Sequence, residues 1–307
     1  MVEAKRHLIV GAGTAGWNAI TAIREIDKGA SEIILVSGEI PYSRMVLPYY
    51  LANEIGESHV VTAGDDRLAA LKVTAHFGRR AAKLNPAANL LTLDDGEEIE
   101  YDDLLIATGS SPVRAPVPGA DGPGVHSFWT LDQAKGVIRE AAPGKRVAVI
   151  GAGFISFTIL NALIKRETKV HIVEIAPRIL PRMVDETGAE IVENWLADRG
   201  VTVRAGAEVT AIEGEAGGKR LRFREGPEAE ADLIIMATGI RTNLEWLEGS
   251  GVETGAGVMV DDCLRSSVPN VYAAGDVAEA PDFVTGNPAV HAIEPTAMQH
   301  GRVAGAN

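Results

Sequence analysis

The sequence predicts an α/β protein made of two similar halves. The first observation is a repeated opening: "HLIVGAGTAG" (His7–Gly16) and "RVAVIGAGFIS" (Arg146–Ser156) each place an apolar run before Gly-x-Gly. The second is a repeated closing, because "DLLIATG" (Asp103–Gly109) and "ADLIIMATG" share a pattern. Similarity at both ends of each half favours two domains of one ancestry over a chance recurrence of glycines.

Strands and helices alternate within each half. The predicted order is strand, helix, strand: Lys5–Val10, Thr14–Glu25 and Glu32–Ser37 in the first half, and Lys145–Ile150, Phe154–Arg166 and Lys169–Glu174 in the second. Such β-α-β units pack as a parallel sheet covered by helices. We therefore expect two Rossmann-like domains, doubly wound and three-layered. The 18 uncharged residues from Val147 to Ile164 fit a strand and a helix joined by a glycine turn better than a membrane span.

Each half also contains a predicted antiparallel β insertion. Asp95-Gly96 lies between two alternating runs, which is a strong hairpin signal. In the second half, Gly217-Gly218 occupies the corresponding turn. The proline-containing stretch Pro41–Leu51 predicts a loop leading into a short helix.

The domain boundaries follow from composition. Residues 111–124 contain four prolines and three glycines, a mixture typical of a crossing between domains. We expect a discontinuous first domain, residues 1–113 and 245–307, and a second domain, residues 114–244.

Composition narrows the function classes. The 307 residues carry a net charge of −13, which disfavours a nucleic-acid partner. The single cysteine, Cys263, excludes an internal disulfide and favours a cytoplasmic location. The N-terminal apolar run leads straight into Gly-x-Gly, so we expect neither a signal peptide nor a transmembrane segment. The seven histidines lack zinc-site spacing, and we expect no metal.

The glycines indicate binding of a diphosphate. A helix N-terminus offers unpaired N–H groups and a partial positive charge. The first glycine of the motif permits a tight turn, the second lets phosphate approach the backbone, and the third lets the helix pack on its strand. These positions are Gly11, Gly13 and Gly16 in the first half, and Gly151, Gly153 and Ser156 in the second.

A carboxylate after the second strand would bind a ribose 2′-hydroxyl and repel a 2′-phosphate. Glu174 lies there, 23 residues after Gly151, and favours NADH over NADPH, although the nearby Arg178 could partly reverse this preference. In the first half Glu39 is the candidate. Two dinucleotide sites on one chain indicate a relay in which a nicotinamide delivers a hydride and a flavin receives it.

The segment "VPNVYAAGDVAEAPDFVTGNPAVHAIEPTAMQHGRVAGAN" (Val268–Asn307) and the two "ATG" turns carry a family resemblance. From about residue 5 to its end, the chain resembles the two-dinucleotide flavoprotein reductases, the pyridine nucleotide-disulfide oxidoreductase superfamily. "PYSRMVLPYYLANE" lacks the redox cysteines of the disulfide reductases. Its Y-x-R-x-x-L pattern is similar to nitrite reductase, rubredoxin reductase and ferredoxin reductase flavoproteins.

The motifs and the resemblance together assign two sets of residues. The FAD set is Gly11, Gly13, Thr14, Ala15, Gly16, Glu39, Arg44, Ala107, Thr108, Gly109, Gly275, Asp276, Pro295, Thr296 and Ala297. The NAD set is Gly151, Gly153, Phe154, Ile155, Glu174, Thr238 and Gly239. The resemblance implies that Asp276 binds the ribityl chain and that the helix Pro295–Ala304 points its N-terminus at the flavin. Arg44 lies either near the flavin or on the solvated surface, and no side chain is assigned as catalytic.

The resemblance implies an FAD-dependent oxidoreductase that passes electrons from NADH to an acceptor without a redox disulfide. The expected acceptor is an iron–sulfur protein, a rubredoxin, a reductase subunit or a small molecule. Relatives carry glutamate where this chain has Thr158, so a degenerate NAD site in an FAD-binding structural or sensing subunit stays open, as does an NADH oxidase. Relatives also continue into a dimerisation domain, which we expect to be absent from this chain, ending at Asn307.

Overall fold

The computed structural model describes residues 4–307. The helices are α1 (Thr14–Asp27), α2 (Leu47–Leu51), α3 (Asp65–Ala70), α4 (Leu131–Glu140), α5 (Phe154–Lys165), α6 (Glu186–Ala197) and α7 (Glu294–Ala306). The strands are β1 (Arg6–Val10), β2 (Glu32–Ser37), β3 (Val73–Phe77), β4 (Ala81–Asn85), β5 (Leu90–Leu93), β6 (Glu98–Glu100), β7 (Asp103–Ile106), β8 (Ser110–Pro112), β9 (Val125–Ser127), β10 (Arg146–Ile150), β11 (Lys169–Val173), β12 (Thr202–Arg204), β13 (Val209–Glu213), β14 (Lys219–Phe223), β15 (Ala229–Ala231), β16 (Leu233–Met236), β17 (Ile240–Thr242), β18 (Val258–Met259), β19 (Val271–Ala273), β20 (Ala278–Pro281) and β21 (Pro288–Ala289).

The chain divides into two compact units. Unit 1 consists of the first segment through Ser43, Val61–Ser111 and Thr242–Asn307. Unit 2 consists of Arg44–Val60 and Pro112–Arg241. The sequence-based division assigned residues 44–60 to the first domain. In the structure they belong with unit 2, because α2 packs on α4 and α5 through a face that buries Leu47 and Leu51.

Unit 1 is built on a five-stranded parallel sheet in the order β19-β7-β1-β2-β3. Alternate residues of β1 enter different cores: Leu8 packs with the antiparallel insertion β4-β5-β6, and Ile9 packs with the helical layer that contains α1. The third layer is the predicted antiparallel insertion, since Leu91 and Leu93 of β5 turn fully buried side chains toward the sheet.

Unit 2 repeats this plan with the order β12-β11-β10-β16-β9, again parallel. Its insertion β13-β14-β15 packs Ile212 and Leu221 against Ala148 and Ile150 of β10. In both units the strand before the glycine loop, β1 or β10, lies between the strand that follows the next helix and a strand from later in the chain. Ligands of open α/β sheets bind at this position, outside the carboxyl ends of the strands.

The predicted local elements agree with the structure. β5 and β6 pair as a hairpin around Asp95-Gly96, and β13 and β14 pair around Gly217-Gly218. The uncharged stretch from Val147 to Ile164 divides between β10 and α5. Within residues 4–307, no helix is both long and apolar enough to cross a membrane.

Candidate functional site

The glycine loop of unit 1 connects β1 to α1. Gly11 has a φ of +117°, and a Cβ built there would lie 2.1 Å from the carbonyl oxygen of Ala107. A Cβ at Gly16 would lie 2.0 Å from the carbonyl oxygen of Gly11. A Cβ at Gly13, by contrast, meets no atom within 4 Å, and Gly13 caps α1 without a side-chain hydrogen bond. The first and third glycines are therefore needed by the fold, whereas the second leaves open space at the helix N-terminus.

The glycine loop of unit 2 repeats this geometry with one change. Gly151 has a φ of +101°, and a Cβ there would lie 2.3 Å from the carbonyl oxygen of Ala237. Gly153 again faces no atom within 4 Å and caps α5 without a side-chain hydrogen bond. Ser156 replaces the third glycine, is 2% exposed, and donates a 2.5 Å hydrogen bond from Oγ to the Gly151 carbonyl. The hydroxyl thus ties the helix to the turn that precedes it.

Glu174 lies directly after β11, beside the unit 2 glycine loop. The amide of Gly151 donates to the carbonyl of Val173 over 2.7 Å, which brings the end of β11 to the loop. Glu174 is 8% exposed; its Oε2 accepts from the Ala152 amide at 2.6 Å and its Oε1 from the Ala176 amide at 2.8 Å. Each carboxylate oxygen has a second lone pair that can accept a hydroxyl proton. Glu174 is therefore held in place while it still has capacity to bind a ribose.

Arg178, the residue that could reverse the preference for NADH, is turned toward its own loop. Its guanidinium donates to the carbonyl of Pro181 at 3.2 Å and to that of Val184 at 3.4 Å. These bonds hold Arg178 to backbone carbonyls. The carboxylate of Glu174 is thus the charge that the loop presents beside the glycines.

Unit 1 differs at the equivalent position. The Gly11 amide donates to the Val36 carbonyl at 2.8 Å, so the residue equivalent to Glu174 is Ser37. Glu39, the predicted ribose ligand, lies two residues further along, and its carboxylate accepts from the Tyr42 hydroxyl at 2.8 Å. The Glu39 amide in turn donates to Ser37 Oγ at 3.2 Å. Ser37 and Glu39 are therefore both near the strand end, and the sequence pattern identified only the second.

Gly275 and Asp276 lie where α1 and α7 of unit 1 approach each other. Gly275 has a φ of +78°, and a Cβ there would lie 2.9 Å from Cβ of Ala15 and 3.4 Å from Cβ of Ala297. Asp276 follows in a short 3₁₀ turn, and its Oδ2 accepts from the Ser110 hydroxyl at 2.6 Å. This arrangement brings predicted residues from separate stretches of sequence into one place.

The "ATG" turn of unit 1 is fixed by the returning chain. Thr108 donates from Oγ1 to the Asn243 carbonyl at 3.2 Å, and Asn243 donates from Nδ2 to the Thr108 carbonyl at 2.8 Å. The Asn243 amide also donates to the carbonyl of Gly109 at 3.0 Å, where φ is +64°. In unit 2 the corresponding residues, Thr238 and Gly239, contact Val113. Thr238 Oγ1 donates to the Val113 carbonyl at 2.5 Å, and the Val113 amide donates to the Gly239 carbonyl at 2.9 Å.

Helix α7 lies close against α1. A Cβ at Gly301 would lie 2.2 Å from the Ala15 carbonyl oxygen, and one at Gly305 would lie 2.6 Å from the Ala19 carbonyl oxygen. The contacts advance together along both helices, so α1 and α7 are parallel and their N-termini face the same end. Burial lowers the pKa of His300 below its ordinary 6.5, so this histidine adds no charge to α7 at neutral pH.

The predicted residues at the start of α7 adjoin the start of α1. Pro295 lies in the first turn of α7, where its missing N–H leaves no bond unmade. Thr296 follows it, and Ala297 is buried against α1 and Gly275. Glu294, which the sequence reasoning did not select, accepts a 3.4 Å hydrogen bond from Thr14 Oγ1.

The remaining predicted residues lie in unit 2. Phe154 and Ile155 form the first turn of α5, and Phe154 is 55% exposed beside the open Gly153. Thr158, where relatives carry glutamate, donates to the Ile155 carbonyl at 2.7 Å and so turns toward its own helix. Arg44 is partly buried, with its guanidinium 5.3 Å from the centre of the Trp129 ring.

Sequence reasoning missed Ser37, Ser110, Asn243 and Glu294. A signal existed for two of them: Ser37 ends a buried strand, and Ser110 directly follows the first "ATG" turn. Asn243 carries no such signal, since its role depends on how the chain returns to Thr108.

The two loops fit the diphosphate of a dinucleotide. Each combines an uncapped helix N-terminus with a central glycine, Gly13 or Gly153, whose missing side chain leaves open space. A Cβ at either position would point into that space. The residues present therefore fit FAD and NADH, whose shared feature is the diphosphate.

This paired-loop geometry has counterparts among known families. The family described as pyridine nucleotide-disulphide oxidoreductase matches residues 5–300. The chain belongs to this family. The predicted family and its two-domain α/β fold are thereby confirmed.

Three similar proteins illustrate the range of the family. Subunit epsilon of the NADH-dependent phenylglyoxylate dehydrogenase of Aromatoleum evansii is 34% identical, over 99% of this chain and 72% of that protein. An NADH oxidase of Methanocaldococcus jannaschii is 30% identical, over 98% of this chain and 69% of that protein. The structure of a covalent putidaredoxin reductase–putidaredoxin complex aligns with a TM-score of 0.92 and 25% identity, over 98% of this chain and 74% of that one.

These relationships establish the general activity. The protein is an oxidoreductase that uses FAD and NADH and transfers electrons from NADH through flavin to an acceptor. The expected enzyme class and cofactors are confirmed.

Proposed function

We propose that unit 1 binds FAD and unit 2 binds NADH. The observation that carries this assignment is the difference between two otherwise matched loops. Unit 2, unlike unit 1, has a buried carboxylate directly after the strand that follows its glycine loop and helix. This residue is Glu174, which can accept a hydrogen bond from a ribose hydroxyl. Asp276 and its partner Ser110 occur beside the unit 1 loop.

In unit 1 the chain's own groups would hold the cofactor at both ends. The amides at the start of α1 would bind the diphosphate across Gly13, where no side chain obstructs it. Asp276 would accept hydrogen bonds from ribityl hydroxyls, with Ser110 keeping its carboxylate oriented. FAD, when bound, supplies the chemistry, because it accepts a hydride and releases electrons singly or in pairs.

In unit 2 the chain selects and orients NADH. Glu174 would accept from the adenosine ribose and repel a 2′-phosphate, while Arg178 stays bound to the backbone of its own loop. Thr158 brings no carboxylate to this unit, because its hydroxyl is bonded to Ile155. Orientation would then depend on the loop amides and on the exposed ring of Phe154.

The acceptor is proposed to be an iron–sulfur protein or a partner subunit. Two relatives support this: one is solved in complex with putidaredoxin, and another is a subunit of a larger dehydrogenase. The single cysteine, Cys263, offers no pair for a thiol relay. It also supports the cytoplasmic location expected from the sequence.

An NADH oxidase is the second candidate function. It is favoured by the relative named NADH oxidase, which the chain matches over 98% of its length. The two candidates differ in what reoxidises the flavin: a protein acceptor in the first, dioxygen in the second.

The test is an anaerobic addition of NADH to the flavin-loaded protein, monitored by flavin absorbance. We expect rapid bleaching, slow recolouring in air, and fast recolouring on addition of an oxidised iron–sulfur protein. Fast recolouring in air alone would favour the oxidase. A failure to bleach would contradict the assignment of a working NADH site.

The unit 2 assignment has a sharper test in Glu174→Ala. Loss of a buried hydrogen-bonded carboxylate costs about 1–3 kcal/mol, so we expect the KM for NADH to rise roughly 10- to 100-fold and the preference over NADPH to fall. Glu190→Ala, on the exposed face of α6, is the matched control and should change neither. An unchanged ratio of kcat/KM for the two nucleotides would remove Glu174 from the site.

A further inference from the structure

In unit 1 the parallel helices α1 and α7 are linked near their N-termini by an acidic side chain of α7 that is hydrogen-bonded to the start of α1. Parallel helices α1 and α7 begin at the same end, and neither Gly13 nor Ile293 supplies a side-chain cap. Each helix N-terminus therefore keeps its unpaired amides and its partial positive charge.

Glu294 is the first residue of α7, and Thr14 is the first residue of α1. The carboxylate of Glu294 accepts from the Thr14 hydroxyl at 3.4 Å. It thereby connects the two helix starts and places a negative charge at the N-terminus of α1. Thr14 comes directly after Gly13, where the backbone is open to a ligand.

We propose that Glu294 is an internal anion that opposes the binding of FAD to unit 1. The inference rests on the proposed function, which places the FAD diphosphate at the start of α1. A diphosphate and a carboxylate would share one set of helix dipoles and the Thr14 hydroxyl. Like charges in a partly buried setting repel strongly, so the affinity for FAD is lower than the two helix ends alone would give.

This role differs from ordinary capping. An acidic residue in the first turn stabilises a helix whether or not a ligand is bound. An internal anion in addition changes ligand affinity, and it does so in a salt-dependent way, because the repulsion is screened by ions. Affinity measured at two salt concentrations therefore separates the two roles.

The same pair of helices offers a matched control. Glu25 lies 11 residues beyond Thr14 on α1 and pairs with Arg302 of α7 at 3.0 Å. At a rise of roughly 1.5 Å per residue, this pair is about 16 Å from the helix start. Glu25→Gln thus makes the same change in charge on the same helices, away from the diphosphate position.

The experiment measures FAD binding to the flavin-free full chain by flavin fluorescence, for wild type, Glu294→Gln and Glu25→Gln. We expect Glu294→Gln to lower the Kd at least about threefold at about 20 mM salt, with part of that gain lost at about 0.5 M. Glu25→Gln should match wild type. Thermal melts of the flavin-free proteins report folding separately from affinity.

The outcomes separate this inference from the function on which it rests. If wild type binds FAD and the Kd of Glu294→Gln is equal or higher, the internal-anion role is wrong. Equal tightening in Glu25→Gln would also contradict that role, because it would assign the effect to net charge. If no variant binds FAD, the proposed function itself fails.

Discussion

The two glycine loops form the same turn but differ in whether the third position of the motif can carry a side chain. The opening glycines are alike: a Cβ at Gly11 or Gly151 would lie 2.1 or 2.3 Å from the carbonyl oxygen of Ala107 or Ala237. The third positions are not, since Gly16 has no room for a Cβ whereas Ser156 carries a whole side chain. The turn is therefore the fixed requirement of this motif, and the seating of the helix is adjustable.

The loops also differ in the residue that comes directly after the second strand. Unit 2 places a buried carboxylate there, held by two backbone amides, and unit 1 places Ser37. The shared backbone can serve any dinucleotide, so ligand choice must come from side chains outside the glycines. Matching substitutions in the two loops can test whether the backbone holds the dinucleotide while the surrounding side chains select it.

The largest effect is expected from an alanine at the opening glycine of either loop. Gly11→Ala and Gly151→Ala each combine a positive φ with a collision against a carbonyl, which should cost at least about 3 kcal/mol in the local structure. We expect Gly11→Ala to abolish the flavin absorbance of the purified protein. Gly151→Ala should keep its flavin and lose roughly 100-fold or more in the rate of reduction by NADH.

The control for this pair is Gly217→Ala, at a positive φ of +80° but with nothing within 4 Å of the added Cβ. It should retain both flavin and NADH reactivity. If Gly151→Ala lost flavin while Gly11→Ala kept it, the assignment of cofactors to units would be reversed.

A reciprocal exchange at the third position should have a smaller effect. Gly16→Ser introduces an atom 2.0 Å from the Gly11 carbonyl oxygen, and overpacking of this kind costs about 1–3 kcal/mol. Ser156→Gly loses one hydrogen bond and adds a flexible residue to α5, at about 1–2 kcal/mol. We therefore expect weaker FAD retention in the first variant and weaker NADH binding in the second.

Ser156→Ala separates the two contributions in unit 2, because it keeps the Cβ and removes only the hydroxyl. Its NADH affinity should lie between those of wild type and Ser156→Gly. A Gly16→Ser protein with wild-type flavin content would show that α1 can move away from its strand to admit a side chain.

The sequence was sufficient for the backbone of both sites and insufficient for their side-chain networks. Gly11 and Gly151 are readable because apolar runs and glycine spacing are local signals. The sequence pattern indicates Glu39 rather than Ser37 because it does not define which residue lies beside the glycine loop. That position follows from the Gly11–Val36 hydrogen bond. Asn243 and Glu294 act through partners more than 100 residues away, and no periodicity encodes such contacts.

The comparison extends to the opposite ends of the first strands. In each unit the aspartate directly before a later strand, β7 or β16, accepts from the amide that opens β1 or β10: Asp102 from Arg6 at 2.6 Å, and Asp232 from Arg146 at 2.8 Å. The units then diverge. The Arg146 guanidinium also donates to Asp232 through two nitrogens, at 2.9 and 3.3 Å, whereas that of Arg6 donates to Glu32.

The contact between Arg146 and Asp232 should give the smallest effect, a change in thermal stability at acidic pH. The hydrogen bond from the Arg146 side chain is the leading cause that lowers the pKa of Asp232 from 3.8 to about 2. A lowered folded-state pKa stabilises the fold above the ordinary pKa, and that contribution is lost as pH falls from about 4 toward 2. After allowance for solvent screening, this contribution to stability amounts to about 1 kcal/mol.

We expect Asp232→Asn to lower the melting temperature at pH 6. The difference in melting temperature between the variant and wild type should narrow by pH 3. A difference that stays the same at pH 6 and pH 3 would mean that Arg146 does not lower the pKa of Asp232 in the folded protein.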